Sequence, residues 1–227
     1  MRTKQYNQYL ELMNYLENKE LVNHRRELDQ LVFCKNAQIR SRVAVFLLNY
    51  KDSYAEQALC TLLFDKNWVV RSNALQSLEE VGTKYSVEYI MKAYKNEKFE
   101  INIPFYISSL THLYIRNHLD LDELEKWIYS IKLKNYKNLK IIPYILCSLT
   151  LLKKENYFDE LISIYQFNDK EVKLSVLTAL EYICDYEVDN NENYYRTKIL
   201  NFINEIENDY KNFPYITYKI TNIKNKR

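Results

Sequence analysis

Three histidines, four cysteines and one acidic run are the side chains whose chemistry could reach beyond folding. His112 and His118 stand six residues apart, about 240° around a helix, so one face does not offer both to a metal ion. His24 is remote from either, and a zinc site needs at least three protein ligands. Cys34, Cys60, Cys147 and Cys184 form no CxxC pair and sit in apolar runs, where cysteine behaves as a small hydrophobe. Reduced, buried thiols in a cytoplasmic protein are expected. The run Asp120-Leu121-Asp122-Glu123-Leu124-Glu125 alternates acids but lacks the glycine and spacing of a calcium loop. It suits the first turn of a helix, where negative charge meets the positive end of the dipole. The chain has one glycine, Gly82, which excludes every glycine-rich nucleotide loop and the GxSxG elbow. The expectation is a protein with no catalytic residues, no metal and no cofactor.

Basic residues offer a different chemistry. Lys132, Lys134, Lys137 and Lys140 lie in IKLKNYKNLK with Tyr136 among them. Such a cluster can contact phosphates while the tyrosine stacks on a base. Acids flank it, from Asp120 to Glu125 before and at Asp159 and Glu160 after, so a solvated connector is the favoured reading. The formal net charge of +2 is small for a dedicated nucleic-acid binder. Nucleic acid is therefore the less favoured partner, and Lys224, Lys226 and Arg227 read as a frayed end.

The elements that would carry any surface are helices. A chain of 227 residues, 47% hydrophobic and 27% charged, can bury a substantial core. One glycine and three prolines leave little material for hairpin turns. The opening MRTKQYNQYLELMNYLENKE has no apolar leader segment, and no apolar run approaches the ~20 residues of a membrane span. No signal peptide and no membrane partner are expected. Apolar residues recur at helical spacing: Tyr6, Tyr9, Leu10, Met13 and Leu16; Leu21, His24, Leu28, Leu31 and Val32; Ile39, Val43, Phe46, Leu47 and Tyr50. Ser53, Asp120 and Asn168, each three residues before a glutamate, read as helix caps. Asn102 and Asn212, each two residues before proline, read likewise, with Pro104 and Pro214 in first helical turns. About thirteen helices with short links follow.

The chain also repeats itself. QIRSRVAVFLL, WVVRSNALQSL, NIPFYISSLTH, IIPYILCSLTL, EVKLSVLTALE and NFPYITYKITN align on Arg40, Arg71, Pro104, Pro143, Lys173 and Pro214, at intervals of 31, 33, 39, 30 and 41 residues. Such a period marks stacked supersecondary units. The residue before each aligned position (Ile39, Val70, Ile103, Ile142, Val172, Phe213) and the one three after it (Val43, Ala74, Ile107, Leu146, Val176, Thr217) share a helix face and should be core.

The segment Asp65-Lys-Asn-Trp-Val-Val-Arg71-Ser-Asn-Ala74-Leu-Gln-Ser-Leu78 resembles the second helix of a HEAT repeat. Elsewhere the likeness is partial: residue 34 is Cys where the family has aspartate, and proline replaces the arginine at 104, 143 and 214. The resemblance implies an all-α, α-α superhelix: one HEAT-like repeat domain over 1–227, with residues 1–19 a capping helix and 20–227 about six helical hairpins. The capping helix would turn Lys4, Gln8, Glu11 and Asn14 outward. It further implies that Asp65 and Arg71 belong to a hydrogen-bonded ladder between layers, and that second helices line a concave face. Positions opposite the core then form a partner-binding ridge: Gln76, Glu79, Phe105, Ser109, His112, Tyr144, Ser148, Glu181, Tyr215 and Lys219, with Ser41, Val45, Leu48, Ser72, Leu151, Leu174, Thr178 and Asn222 beside them. Phe105, Tyr144 and Tyr215 also fit burial between neighbouring helices.

The expected function is a non-enzymatic, cytoplasmic scaffold or adaptor that binds another protein of mixed charge. Two alternatives stay open. One is a nucleic-acid-binding protein, since some small bacterial HEAT-like proteins are DNA glycosylases. The other is a toxin-neutralising immunity or regulatory protein.

Overall fold

A computed structural model of the chain describes residues 2–17, 19–152, 155–189, 193–207 and 214–226. The expected cap Asn212, the expected core residue Phe213, Arg227 and the side chain of Lys4 lie outside the described residues. The protein is all-helical: about 80% is helix, with no strand and thirteen α-helices among the described residues. The chain divides into two compact units, Met1–Leu124 and Glu125–Arg227. The first holds α1 (Arg2–Leu16), α2 (Arg25–Val32), α3 (Ala37–Phe46), α4 (Ser53–Leu62), α5 (Trp68–Val81), α6 (Lys84–Lys95) and α7 (Ile103–Arg116). Most of α8 (Leu121–Asn135) lies in the second, followed by α9 (Ile142–Leu151), α10 (Glu155–Ile164), α11 (Lys170–Asp189), α12 (Arg196–Ile206) and α13 (Pro214–Asn225). No helix among the described residues is long and apolar enough to cross a membrane.

Short polar side chains start the helices by accepting otherwise unpaired backbone N–H groups. Asn36 caps α3, Asn67 caps α5 and Thr83 caps α6. Asp120 caps α8, taking the Asp122 N–H at 3.0 Å. Two expected caps are off by one residue. Asp52, not Ser53, caps α4, accepting from Tyr54 and Ala55 N–H at 2.9 and 2.8 Å. Asp169, not Asn168, caps α11, accepting from Glu171 and Val172 at 2.8 and 3.0 Å. In both a carboxylate beside the expected residue takes two donors at once and adds charge at the positive helix end. Pro104 and Pro143 sit in first turns and Pro214 opens α13. Asn102 precedes α7 but does not cap it: its amide donates to Glu97 at 2.9 Å and to the Trp68 carbonyl at 3.2 Å.

Helix ends use the scarce special residues sparingly. α7 closes with Leu119 N–H on the Tyr114 carbonyl and His118 N–H on that of Ile115, His118 taking the left-handed slot (φ 52°) that glycine usually fills. Gly82 has an ordinary φ of −67°; it is needed for space. A Cβ there would lie 2.6 Å from the Leu78 carbonyl oxygen and 3.1 Å from the Leu113 side chain. Gly82→Ala is expected to destabilise the protein by about 1–3 kcal/mol by overpacking, read as a lower denaturation midpoint; an unchanged midpoint would mean that the turn relaxes freely.

The aligned apolar positions form most of the core. Ile39, Val70, Ile142 and Val172 are buried, as are Val43, Ala74, Ile107, Leu146 and Val176. Two expectations fail. Ile103, first residue of α7, is only half-buried, because it opens the helix after a 3-10 turn at Glu100–Asn102. Thr217 is exposed, and Ile216, Ile220 and Ile223 are buried instead. The face of α13 is therefore one residue out of phase with the alignment, since a proline in a first turn fixes where a helix begins but not its rotation.

In the first unit α3, α5 and α7 pack side by side, with α4 against α5 and α6 against α7. α1 packs on α2 and α3, burying Leu16 and exposing Gln8, Glu11 and Asn14. In the second, α9 touches α10 and α11, and α11 touches α13. Small hydroxyl residues let neighbouring helices come close: Ser77 donates to the Ala44 carbonyl and Ser109 to that of Leu75, each at 2.8 Å. Asn73 donates to Ser41 Oγ at 2.7 Å.

Two guanidinium groups link successive turns of the first unit. Arg40 donates from Nε and Nη2 to the Asp65 carboxylate (2.5 and 2.9 Å) and from Nη1 to the Cys34 carbonyl (2.6 Å). Arg71 repeats this pattern, donating from Nε and Nη2 to Glu97 (2.9 and 2.5 Å) and from Nη1 to the Asp65 carbonyl (2.8 Å). Residues 34, 65 and 97 are thus equivalent, and Asp65 and Arg71 belong to a run that passes from turn to turn. Burial pushes the Asp65 carboxyl up, but the Arg40 fork and the Asn67 N–H outweigh it and hold it below its ordinary value. Two further buried glutamates act as caps borrowed from a neighbouring helix. Glu56 takes the Thr83 N–H and the Ser86 hydroxyl; Glu187 takes the Tyr195 and Arg196 N–H groups.

Candidate partner-binding surface

The outward sides of the second helices differ from the expected ridge by a small rotation. In the first unit Gln76 is exposed, and Glu79, Phe105 and His112 are half-buried. Glu79 on α5 accepts from the Ser108 hydroxyl of α7 at 2.8 Å and lies 3.5 Å from His112 Nε2. Arg116 reaches back to the carbonyls of Glu79 and Glu80 at 2.6 and 2.9 Å. Ser109 is fully buried, because its hydroxyl is the donor that joins α7 to α5. Ser72 is buried too, donating to the Val69 carbonyl within its own helix. The outward row on α3 and α5 runs through Arg42, Val45, Asn73 and Gln76; on α7 it runs through Phe105, Ser108 and His112.

The second unit behaves similarly. α9 is buried on nearly every side, Ser148 and Leu151 included, and only Tyr144 is half-open. Glu181 is not a loose outward charge: it pairs with Lys219 and accepts from the Asn222 amide at 3.2 Å, tying α11 to α13. Tyr215 and Tyr218 are the open aromatics of α13, each 61% exposed. The lysine cluster divides. Lys132 lies within α8 and pairs with Glu160 of α10 at 2.6 Å; Lys140 pairs with Glu171.

Sequence reasoning missed a second surface. The turns joining first to second helices hold Phe33, Phe64 and Phe99 in the first unit, and these together with Phe167 are all the exposed phenylalanines among the described residues. The signal was present as FCKN and FDKN, 31 residues apart, but was read only for residues 34 and 65.

No group of three metal-ligating side chains occurs among the described residues. The four cysteines are buried and form no disulfide among the described residues, and burial drives the Cys60 and Cys184 thiols up to about 12. What the arrangement can do is present a fixed, chemically mixed face. No protein-family model matches the chain, and no curated protein matches it in sequence.

Proposed function

We infer that the chain is a HEAT-like helical-repeat scaffold, not an enzyme, which binds another protein through the outward sides of its second helices. The observation that carries this reading is the exposed row Arg42, Val45 and Gln76, with half-buried His112 alongside, on helices cross-linked by the Asn73–Ser41, Ser77–Ala44 and Ser109–Leu75 bonds. A face held this way loses little freedom on binding, so contact energy goes into affinity. The guanidinium run through Arg40, Asp65 and Arg71 supports the HEAT-like part of the reading. In the second unit Tyr144, Tyr215 and Tyr218 are the aromatic anchors, a residue type enriched where partners dock. Thiols that stay reduced suit a cytoplasmic setting.

The test is quantitative affinity capture from the native host with nuclease present, comparing the wild type with a Gln76→Ala/His112→Ala variant and a Tyr144→Ala/Tyr215→Ala variant. One protein should be enriched by the wild type and fall at least about fivefold with one or both variants while their circular dichroism stays unchanged. Equal enrichment by all three chains, or enrichment that nuclease abolishes, defeats the reading.

A further inference from the structure

The turns that join first to second helices share one composition. Phe33 and Lys35 lie between α2 and α3, Phe64 and Lys66 between α4 and α5, Lys98 and Phe99 between α6 and α7. The phenylalanines are 68%, 46% and 47% exposed, although burying such a ring is normally favourable. These three turns are neighbours in space, because Arg40 bonds both residue 34 and residue 65 while Arg71 bonds both residue 65 and residue 97. In the second unit Lys137, Lys140 and the exposed Phe167 line an open groove of about 600 Å³. The opposite turns of the first unit carry Asp52, Thr83 and Asp120 as helix caps and no phenylalanine.

Charge selects the occupant. Asp65 and Glu97 are consumed by the two guanidinium groups. That leaves Lys35, Lys66 and Lys98, all exposed and in no ion pair among the described residues, against one exposed acid, Glu100. The edge is therefore a row of apolar rings, each beside an unneutralised cation. Packed helices stand about 8–10 Å apart, and an extended chain in the polyproline II conformation advances about 3.1 Å per residue with three residues per turn, so every third residue returns to the same side and meets a new turn. We propose that this edge of the first unit binds an extended acidic segment of another protein, with Asp or Glu about every third residue and apolar side chains between them. The acids meet Lys35, Lys66 and Lys98, and the apolar side chains lie against Phe33, Phe64 and Phe99. A single nucleic-acid strand fits less well, because three lysines on a chain of net charge +2 are few for phosphate binding. A membrane surface fits less well because Phe99 is held 5.6 Å from the Arg71 guanidinium, not free to insert. The edge shares no residue with the ridge on the second helices, so the two surfaces fail or stand separately.

The test uses the full chain against a display library of random twelve-residue peptides, then anisotropy with the enriched peptides. A twelve-nucleotide oligo-dT and phosphatidylserine vesicles serve as rival probes. Enriched peptides should carry acids at the three-residue spacing. A Lys35→Glu/Lys66→Glu/Lys98→Glu variant should bind them at least about tenfold more weakly and gain affinity for the same peptides with lysine in place of each acid. Phe33→Ser/Phe64→Ser should also weaken them, while Gln76→Ala/His112→Ala should not. The proposal is overturned if no peptide is enriched, if enriched peptides lack acids, if the charge-reversed chain binds them equally, or if oligo-dT or vesicles bind where acidic peptides do not.

Discussion

Arg71→Ala should cost the protein about 3–5 kcal/mol at neutral pH, because it strands the buried carboxylate of Glu97 without its countercharge. The Glu97 side chain is only 2% exposed. Burial alone pushes that carboxyl up, but the Arg71 fork, the Asn102 amide and the Phe99 N–H bring it down to about 2 from an ordinary 4.5. A carboxylate whose folded value lies below its unfolded one adds stability that is complete above pH 4.5 and drains away as pH falls toward 2. At about 1.4 kcal/mol per unit, that contribution is about 3 kcal/mol. In the Arg71→Ala protein the sign reverses. Burial then dominates, the Glu97 value rises above the unfolded one, and mild acid neutralises the stranded charge. Thermal unfolding followed by circular dichroism should show the variant melting about 10–20 °C lower at pH 7, and recovering part of the gap at pH 5. A loss under about 1 kcal/mol, or a variant with the wild-type acid profile, would mean that the fork contributes little. Arg71→Lys should fall between, because one ammonium cannot hold both carboxylate oxygens and the Asp65 carbonyl at once.

Glu187→Ala should cost about 3 kcal/mol in the second unit. Its side chain, 1% exposed, accepts the Tyr195 N–H at 2.6 Å and the Arg196 N–H at 2.8 Å, one on each oxygen. α12 has no capping side chain of its own, so these bonds from α11 do that work across the helix pair. Removing them leaves two backbone donors without partners, each penalised by about 1–3 kcal/mol when buried. Glu187→Gln tests the cause. It keeps size and shape but turns one acceptor oxygen into an NH₂ group that faces an N–H. The glutamine protein should therefore lose much of the same stability, and hydrogen exchange at Tyr195 and Arg196 should quicken. A glutamine variant as stable as the wild type would show that volume, not hydrogen bonding, holds this position.

Periodicity made the helices legible and left their partners dark. Ile39, Val43, Val70 and Ala74 could be assigned to the core because a helix repeats its faces every three to four residues. Ser109 and Ser148 were expected outward because each stands five residues after its aligned proline, opposite the core face. Both are buried, and the carbonyl that satisfies Ser109 belongs to Leu75, 34 residues away. Glu97 escaped notice for the same reason: its link to Arg71 spans 26 residues with no local pattern to announce it. Asp52 and Asp169 were one residue from the expected caps, within the range that local chemistry alone does not resolve. Of the expected ridge residues, Gln76 could be placed by phase alone. Glu181 and Lys219 could not, since each found the other across two helices.

The burial of all four thiols turns the protein into its own opening gauge. Cys34 and Cys60 belong to one unit, Cys147 and Cys184 to the other. A group that titrates only near 12, as Cys60 and Cys184 do, offers almost no thiolate to an alkylating or oxidising reagent at pH 7, because the thiolate is the reactive form. Modification must then wait for the surrounding helices to part. A slow electrophile followed by peptide mapping would clock each half of the chain separately, with no label added.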